Sequence, residues 1–267
     1  MRTLEPASIT LGTVDDLPQI YADMEKQFPP DEMYKYKNLL HLLHGDKYKI
    51  LLYKRNSDGE LLGYALVYTV ENCNILWLDY IAILKEHQTH GYGAQLFNAL
   101  WHKYCGPYDG ILFSLEHISK NNPSLAKRQE LRIQFYEKVG AYRLHADFQL
   151  PCENGALPMY LYFKPRRGLC AISRTVQLQA IRQIYELFLP FCTQQRAARP
   201  FQTNNLGRTA SSNTPSRIAT RRCARCAIRS SCVIKRTVRP SSCNPCKISM
   251  TAAPDFVSRL PVGSSAK

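Results

Sequence analysis

The sequence predicts a mixed α/β domain of roughly 165–190 residues, within the ordinary size range of one domain, followed by a basic segment of different character. Three observations predict it. Strand-length apolar runs alternate with stretches whose apolar residues recur at helical spacing, bounded by capping and turn residues. The charge is segregated: residues 193–267 hold 14 Lys and Arg against one acid, Asp255, leaving 21 basic and 20 acidic side chains in residues 1–192. All 16 tyrosines precede position 193, so the net charge of +14 describes neither part.

Residues 7–11 read as a first strand. Thr13 is an N-cap, with Asp15 and Asp16 suited to the first turn of a helix running toward Gln27. Phe28-Pro29-Pro30-Asp31-Glu32 breaks that helix, and a second one runs to about His44, closed by Gly45. Lys49–Arg55 and Leu61–Glu71 are strands around the turn Asn56-Ser57-Asp58-Gly59. Ile75–Leu84 is almost continuously apolar, as in a strand covered on both faces, and belongs in mid-sheet. A helix follows, with Leu96, Phe97, Leu100, Trp101 and Tyr104 at helical spacing. Gly110–Glu116 is a short strand. Asn122-Pro123 starts a further helix with Leu131, Phe135 and Val139 on its buried face, and Gly140 stops it. Tyr142–Leu150 and Leu157–Phe163 are strands flanking Glu153-Asn154-Gly155. Ser173 caps a last amphipathic helix that Pro190 ends. The order is β-α-α-β-β-β-α-β-α-β-β and a helix. Domain limits are expected at 1–168, with the C-terminal helix at 169–190 and a low-complexity tail at 191–267.

A buried strand running into Gly91-Tyr92-Gly93 and a helix is an arrangement that receives phosphate. The helix N-terminus carries unpaired N–H groups and partial positive charge, and glycines let a pyrophosphate approach the backbone. Two glycines alone are more often simple turn chemistry. The third glycine and following acid of a dinucleotide fold are missing, as is a Walker lysine-serine pair. The longer string is more specific. Ile81-Ala82-Ile83 followed by Gln88-x-x-Gly91-x-Gly93-Ala94 resembles the acetyl-CoA signature of the GNAT N-acetyltransferase superfamily. Phe135-Tyr136-Glu137-Lys138-Val139-Gly140-Ala141 resembles its second landmark, a Tyr-containing helix end before a strand. Phe28–Glu32, Leu78-Asp79-Tyr80 and Leu115-Glu116 look like a bacterial group of the same superfamily. The likeness spans about residues 7–165. It implies a mostly antiparallel, splayed central sheet flanked by helices.

By that resemblance, the amides of Gln88, Thr89, His90, Gly91, Tyr92, Gly93 and Ala94 would hold the CoA pyrophosphate. The backbone of Ile81, Ala82 and Ile83 would pair with the pantetheine arm as an added strand pairs with a sheet edge. Tyr136 would protonate the departing CoA thiolate; the alternative is a core tyrosine beside Phe135. Arg132, one helical turn earlier, shares a face with Tyr136 and would orient a phosphate or an acidic substrate group; a surface salt bridge is the competing reading. The attacking amine must lose a proton. Glu116, at a strand end, and Asp79, the only charge in the buried strand, are both candidates for the base, Glu116 slightly ahead. Glu32 could present a carboxylate to a cationic amine, or be a solvated acid beside a helix break. His87 and His90 flank the loop and read as exposed. The expected donor is acetyl-CoA and the acceptor a small-molecule or peptide amine. Without an obvious acyl-carrier cysteine, direct attack in a ternary complex is favoured. A non-catalytic acyl-CoA sensor is the competing class.

Residues 193–267 of the tail are rich in Arg, Ser, Thr, Pro and Cys, with two aromatics and no amphipathic period, and read as disordered. Cys223-x-x-Cys226 and Cys243-x-x-Cys246 have the spacing of a four-thiolate zinc site. The Arg- and Ser-rich residues between them offer little to pack, so no metal is expected. The arginines could bind nucleic acid through phosphates, by the tail alone. A segment not under selection is a further reading. No apolar run reaches the roughly 20 residues of a membrane span, and no secretory signal opens the chain. A cytoplasmic monomer or homodimer is the expectation.

Overall fold

A computed structural model describes residues 4–104, 106–152 and 155–192. Residues 193–267 of the tail, with the two Cys-x-x-Cys motifs, lie outside the described residues. The elements are β1 (Ala7–Leu11), α1 (Leu17–Gln27), α2 (Tyr36–Leu43), β2 (Tyr48–Arg55), β3 (Leu61–Val70), β4 (Ile75–Ile83), α3 (Tyr92–Tyr104), β5 (Gly110–Glu116), α4 (Pro123–Lys138), β6 (Tyr142–Arg143), β7 (Phe148–Cys152), β8 (Gly155–Pro165) and α5 (Arg174–Phe188). The sheet order is β1-β2-β3-β4-β5-β8-β6, with β7 also on β8. Every pairing is antiparallel except β4 with β5.

The capping residues act where the sequence puts them. The Thr13 hydroxyl accepts from Asp15 N, and the Asp16 carboxylate accepts from Thr13 N at 2.7 Å, closing a capping box over a 3-10 turn that leads into α1. Asn122 accepts from Leu125 N at 3.1 Å with Pro123 at the first helical position. Ser173 accepts from Val176 N at 3.3 Å at the start of α5. The Phe28–Glu32 break contains a 3-10 turn, Pro30–Glu32.

The expected single strand Tyr142–Leu150 is two strands. Arg143 faces Tyr162 and Phe148 faces Met159, five steps on one chain against three on the other, so two extra residues loop out between β6 and β7. Their ladder with β8 is bridged by Leu144 N donating to Leu161 O at 2.8 Å. Polar residues at His145 and Asp147 beside buried Leu144 keep a strand-like pattern that hides the interruption.

Two cores form, one on each side of the sheet. One buries Leu17, Ile20 and Met24 of α1, Leu39 and Leu42 of α2, and Ala180, Ile181, Ile184 and Phe188 of α5. The other buries Leu96, Phe97, Leu100 and Trp101 of α3 and Phe135 and Tyr136 of α4. β4 is buried along its whole length, as a mid-sheet strand should be. Its alternation breaks once. Ile75 and Trp77 join the first core and Leu76 and Leu78 the second; beyond Asp79, Tyr80 and Ala82 join the first, Ile81 and Ile83 the second. Leu66 faces Tyr80 and Val67 faces Leu78, which leaves Asp79 as the extra residue of a β-bulge.

Candidate active site

The bulge determines where a site can form. β4 and β5 pair only from Ile75–Gly110 to Leu78–Phe113, yet β4 continues to Ile83 and β5 to Glu116. A bulged strand bends and twists more strongly, and here the ladder ends one residue before the bulge. Leu84 N donates to Leu62 O at 2.9 Å. By the alternation of an antiparallel ladder, Tyr80 and Ala82 direct N–H and C=O toward β3, while Ile81 and Ile83 direct theirs toward the gap. Of the expected trio, Ala82 therefore serves β3, where it faces Tyr64.

Past Ile83 the chain turns through Lys85–His87 into the loop before α3. Thr89 has φ +68° and Gly91 φ +90°. A β-branched residue in the left-handed region is strained, and the surrounding bonds hold it. Gln88 Nε2 donates to Ile83 O and to Gln27 Oε1, both at 3.0 Å, and the Thr89 hydroxyl donates to Gln88 O at 2.6 Å. α3 begins at Tyr92, so Tyr92, Gly93 and Ala94 supply first-turn amides at the positive end of the helix. The Leu4 side chain lies over Gly91: a Cβ there would come within 3.0 Å of Leu4 Cδ1. Glu5 beside Leu4 is bound to Arg55 at 3.0 Å. His90 is exposed as expected. His87 is not: its side chain is partly buried, with Nε2 3.3 Å from Glu60, because the turn folds it against the β2–β3 hairpin.

The remaining candidates divide between the faces. On the α3/α4 side, Tyr136 is 2% exposed, its ring packed against Phe113, Phe135 and Phe97 with centroids at 4.6, 5.0 and 5.1 Å. Phe113 is the last β5 residue paired to β4, so Tyr136 stands where the strands part. On the other side, Asp79 accepts from the Tyr48 hydroxyl at 2.5 Å and from Trp77 Nε1 at 3.4 Å. Burial, then the adjacent Asp79 charge, pushes the Tyr48 phenol well above its ordinary value, so it stays a donor.

Glu116 and Arg132, expected in separate roles, form one ion pair in which a guanidinium nitrogen meets both carboxylate oxygens. The pair is part-buried, with Arg132 2% exposed and Glu116 half-buried, and is not the surface bridge the sequence left open. Glu32 is half-buried, and its carbonyl accepts from the Tyr80 hydroxyl at 2.9 Å. Its loop is pinned further by Tyr34, whose hydroxyl donates to Pro151 O at 2.5 Å and whose ring stacks on Phe188 at 4.7 Å.

Sequence reasoning gave no role in the site to Asp23, Gln27, Tyr48, Tyr64 or Tyr80. The Tyr64 hydroxyl donates to Asp23 at 2.8 Å, and burial raises the Asp23 carboxyl above the usual range against the lowering effect of the Tyr64 and Gln27 bonds. The available signal was a tyrosine inside a strand, whose buried hydroxyl needs a partner. Among the described residues, no group of three His, Cys, Asp or Glu side chains could hold a metal ion, and no helix is long and apolar enough to cross a membrane.

The acetyltransferase (GNAT) family model matches residues 15–141. The chain is similar to a solved structure assigned as a GNAT-family acetyltransferase from Bacteroides thetaiotaomicron, with 16% identity and a TM-score of 0.53 over 68% of this chain and 98% of that one. It is also similar to the ribosomal-protein-S18-alanine N-acetyltransferase of Escherichia coli, with 18% identity and a TM-score of 0.45 over 62% and 100% of the two chains. A chimeric spermidine N-acetyltransferase from Vibrio cholerae gives 16% and 0.45 over 60% and 95%. At these identities the first likeness establishes a shared fold and leaves the acceptor open. No curated protein matches the chain.

Proposed function

Residues 15–141 belong to the acetyltransferase (GNAT) family, and on that premise we propose that the chain moves acetyl from acetyl-CoA to a primary amine by direct attack in a ternary complex. One observation carries the proposal: the β4–β5 ladder stops at Leu78–Phe113 while Ile81 and Ile83 aim backbone groups into the gap beyond. That strand edge, ending in a loop with Gly91 at φ +90° and the α3 amides, fits an extended arm with a diphosphate at one end. When bound, acetyl-CoA supplies the activated acetyl thioester. Ile81 and Ile83 would align its arm, and the amides of Gln88–Ala94 would hold its pyrophosphate.

Proton movement falls to groups on either side of the gap. Tyr136 would hand its phenolic proton to the leaving sulfur. Asp79 takes precedence over Glu116 as the proton acceptor for the amine, because Glu116 is paired with the Arg132 cation while the Asp79 oxygens accept only from the neutral donors Tyr48 and Trp77 among the bonds described above. In this reading Arg132 and Glu116 brace α4 against β5 and thereby set Tyr136. Asp79 and Tyr136 lie on opposite faces of the sheet beside the point where the β4–β5 ladder ends, which in this reading suits an amine entering on one side and a thiol leaving on the other. The acceptor is a small-molecule or peptide amine, and the setting a cytoplasmic monomer or homodimer.

The test is calorimetric titration of the full chain with acetyl-CoA, followed by CoA release over a broad amine panel. Binding with turnover on at least one amine is expected. Binding without turnover would replace the enzyme with an acyl-CoA sensor, and no binding would remove the donor site.

A further inference from the structure

The structure assigns Gln27, on α1 and outside every landmark of the donor loop, the role of a positioning residue: it holds Gln88, and through it the strained Gln88–Gly91 turn, in the form that receives the donor's phosphates. The inference rests on the reading of that loop as the donor site.

Gln27 is 1% exposed at the last position of α1. A buried amide must find partners for two donors and an acceptor. Its Nε2 donates to Asp23 Oδ2 at 2.5 Å and to Ile83 O at 3.1 Å, and its Oε1 accepts from Gln88 Nε2 at 3.0 Å. The other Gln88 hydrogen goes to the same Ile83 carbonyl. All four amide hydrogens are used, and both lone pairs of the carbonyl are filled. The orientation is fixed from its two ends. Turning either amide over would set oxygen against the Ile83 carbonyl, and turning Gln27 would also face the Asp23 carboxylate, itself held by Tyr64.

The placement gives this network its consequence. Gln88 immediately precedes Thr89, whose φ of +68° persists only if its surroundings hold it. The Gln88 side chain ties the loop back to the end of β4, and Gln27 fixes the Gln88 side chain. An apolar residue at position 27 would fill the same space against β4 and leave Gln88 with one anchor in place of two. The network also occupies the Ile83 carbonyl, so an arm in the gap meets Ile83 through its N–H.

The experiment titrates the full chain with acetyl-CoA by calorimetry in the wild type, Gln27→Leu, Gln88→Leu and the double variant, with thermal melts alongside. Gln27→Leu is expected to raise Kd about tenfold, the fold-change of one net hydrogen bond or slightly more. In the Gln88→Leu background it should add nothing, because Gln27 acts through Gln88. If Gln27→Leu does not fold, Gln27→Met, of matching length, carries the same comparison. Wild-type binding with an unchanged Kd in the variant, or losses that simply add, would overturn the positioning role alone. A wild type that does not bind acetyl-CoA would overturn the donor site beneath it.

Discussion

The two halves of β4 make an instructive contrast. From Ile75 to Leu78 the strand is paired on both edges, and its side chains enter two apolar cores. From Asp79 to Ile83 it keeps β3 but loses β5, and side chains satisfy polar groups there: Tyr48 on Asp79, Gln27 and Gln88 on Ile83. Burial is the same in both halves. What differs is which groups satisfy the backbone and the charge. The first half is fixed by ladders on both edges; the second is held by one ladder and by side chains, of which Tyr48 and Gln27 come from distant parts of the sequence.

That contrast predicts activity losses beyond the bulge and stability losses before it. The largest effect is expected from Asp79→Asn, which keeps the shape and loses the proton acceptor. Turnover should fall roughly 10²–10⁴-fold in a CoA-release assay, with the thermal midpoint little changed. Retained turnover there, with turnover abolished in Glu116→Gln, would move the base to β5. Trp77→Ala, in the paired half, should remove about 3–5 kcal/mol of stability, read from denaturant unfolding, while the folded fraction binds acetyl-CoA normally. Tyr136→Phe should lower turnover by about 10², because a solvent proton can partly replace the phenol; an unchanged rate would leave Tyr136 as a packing residue. The smallest effect belongs to Gly91→Ala. Its left-handed backbone and the Leu4 contact should add about 1–2 kcal/mol of strain, weakening acetyl-CoA binding about tenfold in calorimetry.

Much of the fold could be read from local signals. Caps, helical spacing and the unbroken apolar run of β4 act over a few residues, and Thr13, Asn122 and Ser173 cap as the sequence indicates. The bulge left only one trace, the charge of Asp79 within an apolar strand. A parity shift cannot be seen in a strand where every position except Asp79 is apolar or aromatic. The loop between β6 and β7 was hidden for a related reason, since its residues continue an alternating pattern. The contacts around the gap were the least legible. Gln27 to Gln88, Tyr64 to Asp23 and Tyr48 to Asp79 join residues 61, 41 and 31 positions apart, and no period within one element reports them. Arg132 and Glu116 were each picked out by residue type, but only the packing of α4 beside β5 reveals that they bind each other.

The bulge has a consequence for how the break in the β4–β5 ladder could arise. The residues after Asp79 occupy the faces they would have if Asp79 were absent, since Leu78 and Tyr80 would then alternate as in a regular strand. A sheet lacking this residue would keep its inside-outside pattern and could continue zipping toward Ile83. The bulge therefore behaves like a wedge one residue thick, inserted without rewriting the hydrophobic code around it. A continuous ladder and an interrupted one are separated by a single codon, a step short enough for a scaffold to free a strand edge without first losing its core.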